Sequence, residues 1–326
     1  MRLTAIRTLP ALAGLVLGLL FDPGPIVAQS VAGPVLGYVL DRATGALRPI
    51  RGIPGAATMG DPIELDASLA DVSISPEQDY ALAADSNGGD LVLIDLTGGA
   101  AARRFAGAFV RPQRVAISPG GGTAALVDLD ERRVQILSGL PHAPSTTRDL
   151  PLDPGLADIE ALAVSDDGAS LLVATRGAVY VAREQGFERL IEARVPRAIS
   201  YFRNSHDAVI ADFDANHVVL VRDVTGAAET FTLASQRNGI VRPVAVQPSA
   251  DGRRVFVANS RAARISVIDL ETGDVTHLQC SAVPAGLFPL RGGSAFRLNE
   301  LGGTPLFVLD GGAERARIVF VPPPVE

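Results

Sequence analysis

The chain contains no tryptophan, no lysine and a single cysteine, Cys280. One cysteine excludes an intrachain disulfide, so stability must come from buried area and strand pairing. Nothing marks a histidine partner beside Cys280, and it reads as a small buried hydrophobe at the end of an outer strand. Aromatic residues make up 5% of the chain against 47% hydrophobic residues overall. The core must therefore be built from Val, Leu, Ile and Ala, which suits short β-strands. All 29 basic residues are arginine; biased codon usage and a chemical demand for guanidinium both account for that. The formal net charge of -7 argues against nucleic acid, which favours clustered basic surface. Nucleophile-elbow, phosphate-loop and CxxC patterns are absent. His142, His206, His217 and His277 lie far apart and form no zinc spacing. No catalytic and no metal-binding residue is assigned on these grounds, and no cofactor is expected.

Residues 1–28 have the pattern of a secretory signal. Arg2 and Arg7 precede an apolar run from Leu9 to Phe21, which is short for a bilayer span, and Asp22-Pro23-Gly24-Pro25 breaks it. Ala28 offers a small residue at a cleavage point, with Gln29 as the first mature residue; an uncleaved anchor is the alternative. The expectation is an exported protein, periplasmic or extracellular, not inserted in the membrane after cleavage, with residues 29–326 forming one domain.

What is present in abundance is turn chemistry and repetition. Gly 33 and Pro 23 imply many turns and little helix. Residues 243–272, PVAVQPSADGRRVFVANSRAARISVIDLET, read as apolar run, Asp-Gly turn, apolar run, polar loop and third apolar run. Val275–Leu278 adds a fourth, weaker strand. Comparable units start near residues 71, 114, 160, 197, 243 and 286. The first three carry SPEQD, SPGGG and SDDGA turns after the inner strand, the fifth carries Ala250-Asp251-Gly252, and the last diverges. Four antiparallel strands per unit at this spacing predict the blades of a β-propeller, since one such sheet exposes an apolar face that only radial packing can cover. An N-terminal piece, Val35–Val39 and Ala46–Ile50, aligns YVLDRATG with VIDLETG and so with a third and fourth strand. Residues 52–62 read as a connector. The piece either joins the edge of a six-bladed ring or belongs to an incomplete seventh blade; its near-repeat length favours seven.

RVFVANSRAARISVIDLETG resembles the YVTN-type β-propeller repeat, and the SPEQD, SPGGG and SDDGA turns resemble those of WD40-like propellers. The resemblance covers roughly residues 70–275. It implies a secreted propeller scaffold and no particular reaction.

Aligned units place Asp85, Asp128, Thr175, Asp212 and Asn259 at the end of the second strand. Short side chains of this kind bond neighbouring amides and hold turns. The functional alternative is a ring of acceptors around an axial mouth, able to hold calcium or a polyol. The connectors Val110-Arg111-Pro112, Val195-Pro196-Arg197 and Val241-Arg242-Pro243 repeat an arginine on the same expected face. Arg111, Arg197 and Arg242 either pair with neighbouring acceptors, blade to blade, or offer a carboxylate site. The reading is an exported binding or scaffold protein acting through its axial face on a protein or a cell-envelope polymer. The alternative is a lactonase-like hydrolase with a metal in the central channel.

Overall fold

A computed structural model describes residues 33–323, apart from 66–68, 99, 157 and 303. The signal-like segment 1–28 lies outside the described residues. Among the described residues the regular structure is strand, with two short 3₁₀ turns, and no helix is long and apolar enough to cross a membrane.

The strands form seven antiparallel sheets in chain order. Blade 1 holds β1 (Val35–Asp41), β2 (Ala46–Ile53) and β3 (Ala56–Met59). Blade 2 holds β4 (Leu69–Ile74), β5 (Tyr80–Asp85), β6 (Leu91–Asp95) and β7 (Ala101–Arg104). Blade 3 holds β8 (Arg114–Ile117), β9 (Thr123–Asp128), β10 (Arg133–Ser138) and β11 (Ser145–Pro151). Blade 4 holds β12 (Ala161–Val164), β13 (Leu171–Thr175), β14 (Gly177–Arg183) and β15 (Gly186–Ala193). Blade 5 holds β16 (Pro196–Tyr201), β17 (Ala208–Asp212), β18 (His217–Arg222) and β19 (Glu229–Ser235). Blade 6 holds β20 (Pro243–Pro248), β21 (Arg254–Asn259), β22 (Arg264–Asp269) and β23 (Val275–Gln279). Blade 7 holds β24 (Phe288–Leu290), β25 (Ala295–Arg297), β26 (Leu306–Asp310) and β27 (Arg317–Val321). This is the seven-bladed β-propeller that the repeat spacing predicts.

The core is divided among the seams between blades. Seven apolar clusters each join one blade to the next, and the seventh joins blade 7 to blade 1 through Leu36, Val39, Ile50, Leu290, Val308 and Val321. Strand alternation makes this possible. On β5, Tyr80 and Leu82 face blade 3 while Ala81 and Ala83 face blade 1. On β9, Ala124 and Leu126 face blade 2 while Ala125 and Val127 face blade 4. Second strands are thus buried on both faces, which explains continuous apolar runs such as AALV where a half-buried strand would alternate with polar residues.

The first-to-second turns are locally encoded. Ser75, Ser118, Ser165 and Ser249 are buried, and their hydroxyls accept from the amides of Tyr80, Thr123, Ser170 and Arg254 at the start of the second strand. The Ser165 and Ser249 hydroxyls donate in turn to Asp167 and Asp251. Gly121, Gly168 and Gly252 occupy left-handed backbone in these turns, at φ 77°, 70° and 68°.

Blade 1 departs from the sequence reading in two ways. The stretch read as a connector carries a strand, β3, which pairs with β2 from Ile50–Met59 to Ile53–Ala56. The assignment of β1 and β2 to third and fourth strand positions is also corrected. Arg291, just past the end of β24, donates its amide to Leu36 at the start of β1, and Gln78, just past the end of β4, reaches Tyr38. β1 therefore runs opposite to the inner strands on either side of it, as second strands do. The three strands of blade 1 occupy the second, third and fourth positions. The similarity of YVLDRATG to VIDLETG misled because an apolar residue followed by Asp ends both second strands, such as β9, and third strands, such as β22.

Candidate functional site

Inner strands begin on one face of the ring, here called the connector face, and second strands end there. All seven sequence candidates lie at that level. Asp212 is buried and accepts four amides: Arg194 at 2.6 Å, Val195 at 3.1 Å, Asp214 at 3.1 Å and Ala215 at 3.0 Å. Asp128 accepts from Asp130 at 3.0 Å, Glu131 at 2.9 Å and Arg111 at 3.3 Å. Asp85 accepts from the Asn87 amide at 2.9 Å and from Arg104 Nε at 2.6 Å. These contacts, the Asn87 amide foremost, hold the Asp85 carboxyl below its ordinary pKa. Thr175 Oγ1 reaches only its neighbour's carbonyl, Arg176 O, at 3.5 Å. Asp41 is the blade 1 member of the series, with Oδ1 on the Ala43 amide at 3.1 Å and Oδ2 on Arg48 Nε at 2.9 Å. Sequence alignment missed it because β1 was placed in the wrong strand position.

The acceptors therefore tie the exit of a second strand to its own turn and, in blades 3, 5 and 6, to the incoming connector. Among the described residues no group of three His, Cys, Asp or Glu side chains is brought together as a metal site. Asn259 does similar work in blade 6: Oδ1 accepts from Val241 N at 2.9 Å, and Nδ2 donates to Ser266 Oγ at 2.9 Å. Ser266 Oγ lies 3.0 Å from His277 Nδ1. That is nucleophile–base spacing, but Ser266 is 0% exposed, so no substrate reaches it. Burial, and then Arg264, lowers the pKa of His277 and favours the neutral ring this network uses. Cys280 is buried as expected, and burial pushes its thiol up to about 11.

The arginines behave differently from the acceptors. Arg111 is exposed, with Nε 3.9 Å from Asp90 of blade 2. Arg197 and Arg242 converge on one ring. The guanidinium of Arg197 lies 4.4 Å from the centroid of Phe213 and that of Arg242 lies 4.7 Å from it. Arg242 also pairs with Asp214, and Arg197 lies 3.9 Å from Glu160, itself 3.2 Å from Arg176. Arg242 holds φ 52°, left-handed backbone that arginine seldom adopts. Three bonds fix it there: its amide donates to Asn216 Oδ1 at 2.7 Å, and its carbonyl accepts from Ser260 N and Oγ at 3.1 and 2.8 Å. Phe213 was visible in the sequence only as the residue between two aspartates. Its contact with Arg197 depends on β16 pairing with β17 within blade 5, and its contact with Arg242 depends on adjacent blades meeting.

No family model and no curated protein matches the sequence. The likeness to YVTN-type repeats rests on the quoted segments alone. Solved structures do match. A protein from Lactobacillus plantarum aligns with 89% of this chain and 96% of its own, at 14% identity and TM-score 0.60. A functionally unknown protein from Desulfotomaculum acetoxidans aligns over 89% and 100%, at 14% identity and TM-score 0.56. A streptogramin B lyase aligns over 80% and 85%, at 13% identity and TM-score 0.56. At these identities the likeness establishes the β-propeller fold, which serves binding, scaffolding and catalysis alike.

Proposed function

We propose that this chain is an exported binding protein that engages an acidic segment of a partner protein, or an acidic envelope polymer, through the connector face of blades 4 to 6. The observation that carries this reading is the Arg197–Phe213–Arg242 stack. Two guanidinia from different connectors flank one ring, and one of them sits on a backbone that costs free energy to maintain. Stacking fixes the plane of each guanidinium while leaving in-plane donors for carboxylates. Arg176 extends the cationic surface; Glu160 lies between Arg176 and Arg197, and Asp214 pairs with Arg242. On a chain of net charge -7 such a surface is a local exception rather than a general property. Export follows from the signal-like pattern of residues 1–28.

The test is retention of the full chain on immobilised polyglutamate at low and high ionic strength. The expected result is salt-sensitive retention that weakens about tenfold, close to 1.4 kcal/mol, in the Arg197→Ala, Arg242→Ala double variant. Arg315→Ala, on the opposite face, should leave retention unchanged. Equal retention of the double variant and the unaltered chain would sink the proposal. Recovery of the chain from the cell interior with residues 1–28 attached would remove the export part.

A further inference from the structure

Between β4 and β24 the inner strand position of blade 1 is not filled by any described residue, and a cavity of about 360 Å³ lies there against the open edge of β1. Its volume is in the range of small-molecule pockets. One end of the β1 edge is already sealed. The fully buried Gln78 side chain accepts from Tyr38 N at 3.0 Å and donates to Pro289 O at 2.9 Å and Ser75 O at 2.8 Å. Leu36 O accepts from Arg291 N at 2.8 Å. Backbone pairing along that half of β1 is thus spent, and an added strand would have to displace Gln78.

The other end, on the connector face, carries a buried cation. Arg297 ends β25 and is 7% exposed. Its guanidinium lies 4.1 Å from the Phe288 centroid. Nη1 donates to Asn299 O and lies 3.4 Å from Glu300 Oε2, which is 3.9 Å from Arg42 Nε. Nε and Nη2 have no protein acceptor among the described residues. They form the side-on edge of the guanidinium, two parallel N–H groups whose spacing matches the two oxygens of one carboxylate. Arg42, Arg297 and Glu300 sum to one positive charge at the cavity wall. Away from this end the walls are largely apolar, with Leu40, Val72, Ile74, Ile117 and Pro289.

We infer that the channel beside blade 1 binds a small monocarboxylate with an apolar body, its carboxylate side-on to Arg297 and its body along the open edge of β1. This goes beyond the surface reading above, uses different residues and stands or falls separately from it. The guanidinium supplies the charge complement that burial otherwise denies it, and the apolar walls reject more polar acids.

Isothermal titration of the full chain with octanoate, octanamide and octylamine tests the inference. Octanoate should bind saturably, octanamide at least tenfold more weakly, and octylamine not at all. Arg297→Lys keeps the charge and loses the side-on pair, so it should weaken octanoate at least tenfold and leave octanamide unchanged. If that variant fails to fold, Ser73→Phe, which fills the cavity from β4, should abolish binding of both while circular dichroism shows the fold retained. Equal affinity for acid and amide, no saturable binding of octanoate at millimolar concentration, or full binding by folded Ser73→Phe would overturn it.

Discussion

Blade 6 and blade 1 solve the same structural problem with different parts. In blade 6 all four strands are present, and the neutral amide of Asn259 ties the second strand to the connector through Val241 N and to the third strand through Ser266. In blade 1 the described strands are three, the equivalent acceptor is the carboxylate of Asp41, and its partners are its own turn and Arg48. The inner edge that β20 covers in blade 6 is served in blade 1 by one borrowed side chain, Gln78. A regular blade is therefore held by backbone ladders that many sequences can supply. The irregular one depends on single residues from its neighbours, and among the described residues its inner strand position is a cavity.

Removing Gln78 attacks that difference most directly. Gln78→Ala should destabilise the chain by about 2 kcal/mol, because it orphans Tyr38 N and removes the side-chain donor to Pro289 O, while Ser75 O keeps the Gln78 backbone amide. Chemical denaturation measures this, and a loss below 1 kcal/mol would show that the β1 edge is satisfied in another way. Comparable in size is Asp212→Ala in a regular blade, expected to cost about 2 kcal/mol through the loss of four amide contacts to a buried carboxylate. Asp41→Ala should cost about 1 kcal/mol, since its partners lie nearer the surface. Equal losses at the two sites would erase the distinction drawn between the blades.

Acid separates the blades more finely. Arg48 foremost, with the turn, holds the Asp41 carboxyl below its ordinary pKa. Its contribution is therefore present above about pH 4, the unfolded value, and is lost as pH falls through the lower folded value. Asp41→Asn should make the melting temperature less dependent on pH below about 4, whereas Asn259 contributes no such dependence. A melting profile unchanged by Asp41→Asn would contradict this. The smallest effect concerns Cys280, whose buried thiol sits at about 11. It should resist a thiol reagent at pH 8 in the folded chain and react fully on unfolding; fast reaction of the native protein would contradict its burial.

The regular blades were legible because their determinants are local. Ser-Pro and Asp-Gly turns, apolar second strands and acceptors at their ends recur within each unit, so Asp85, Asp128, Asp212 and Asn259 were found at their true positions. Blade 1 was misread because its strand position is set by neighbours on either side, Gln78 and Pro289, which are themselves 211 residues apart in the chain, and not by YVLDRATG itself. Phe213 and Arg297 escaped for a related reason. Each becomes notable only when a guanidinium and a ring are brought face to face. For Arg197 over Phe213 that requires β16 to pair with β17, for Arg242 over Phe213 it requires adjacent blades, and for Arg297 over Phe288 it requires the diverged last unit to fold.

The seventh seam has a consequence for how the molecule is made. Six seams join blades that are neighbours in the chain, and each can form as soon as the next blade emerges. The seam between blade 7 and blade 1 joins Leu36 and Val39 to Val308 and Val321, and among the described residues no strand is shared across it. Closing so long a loop carries an entropy cost before any contact rewards it, so during synthesis blade 1 waits with one face uncovered until the last blade arrives. A chain truncated before blade 7 would keep most of its sheets and still expose two apolar faces, which makes completion of the ring, rather than formation of any blade, the step on which solubility depends.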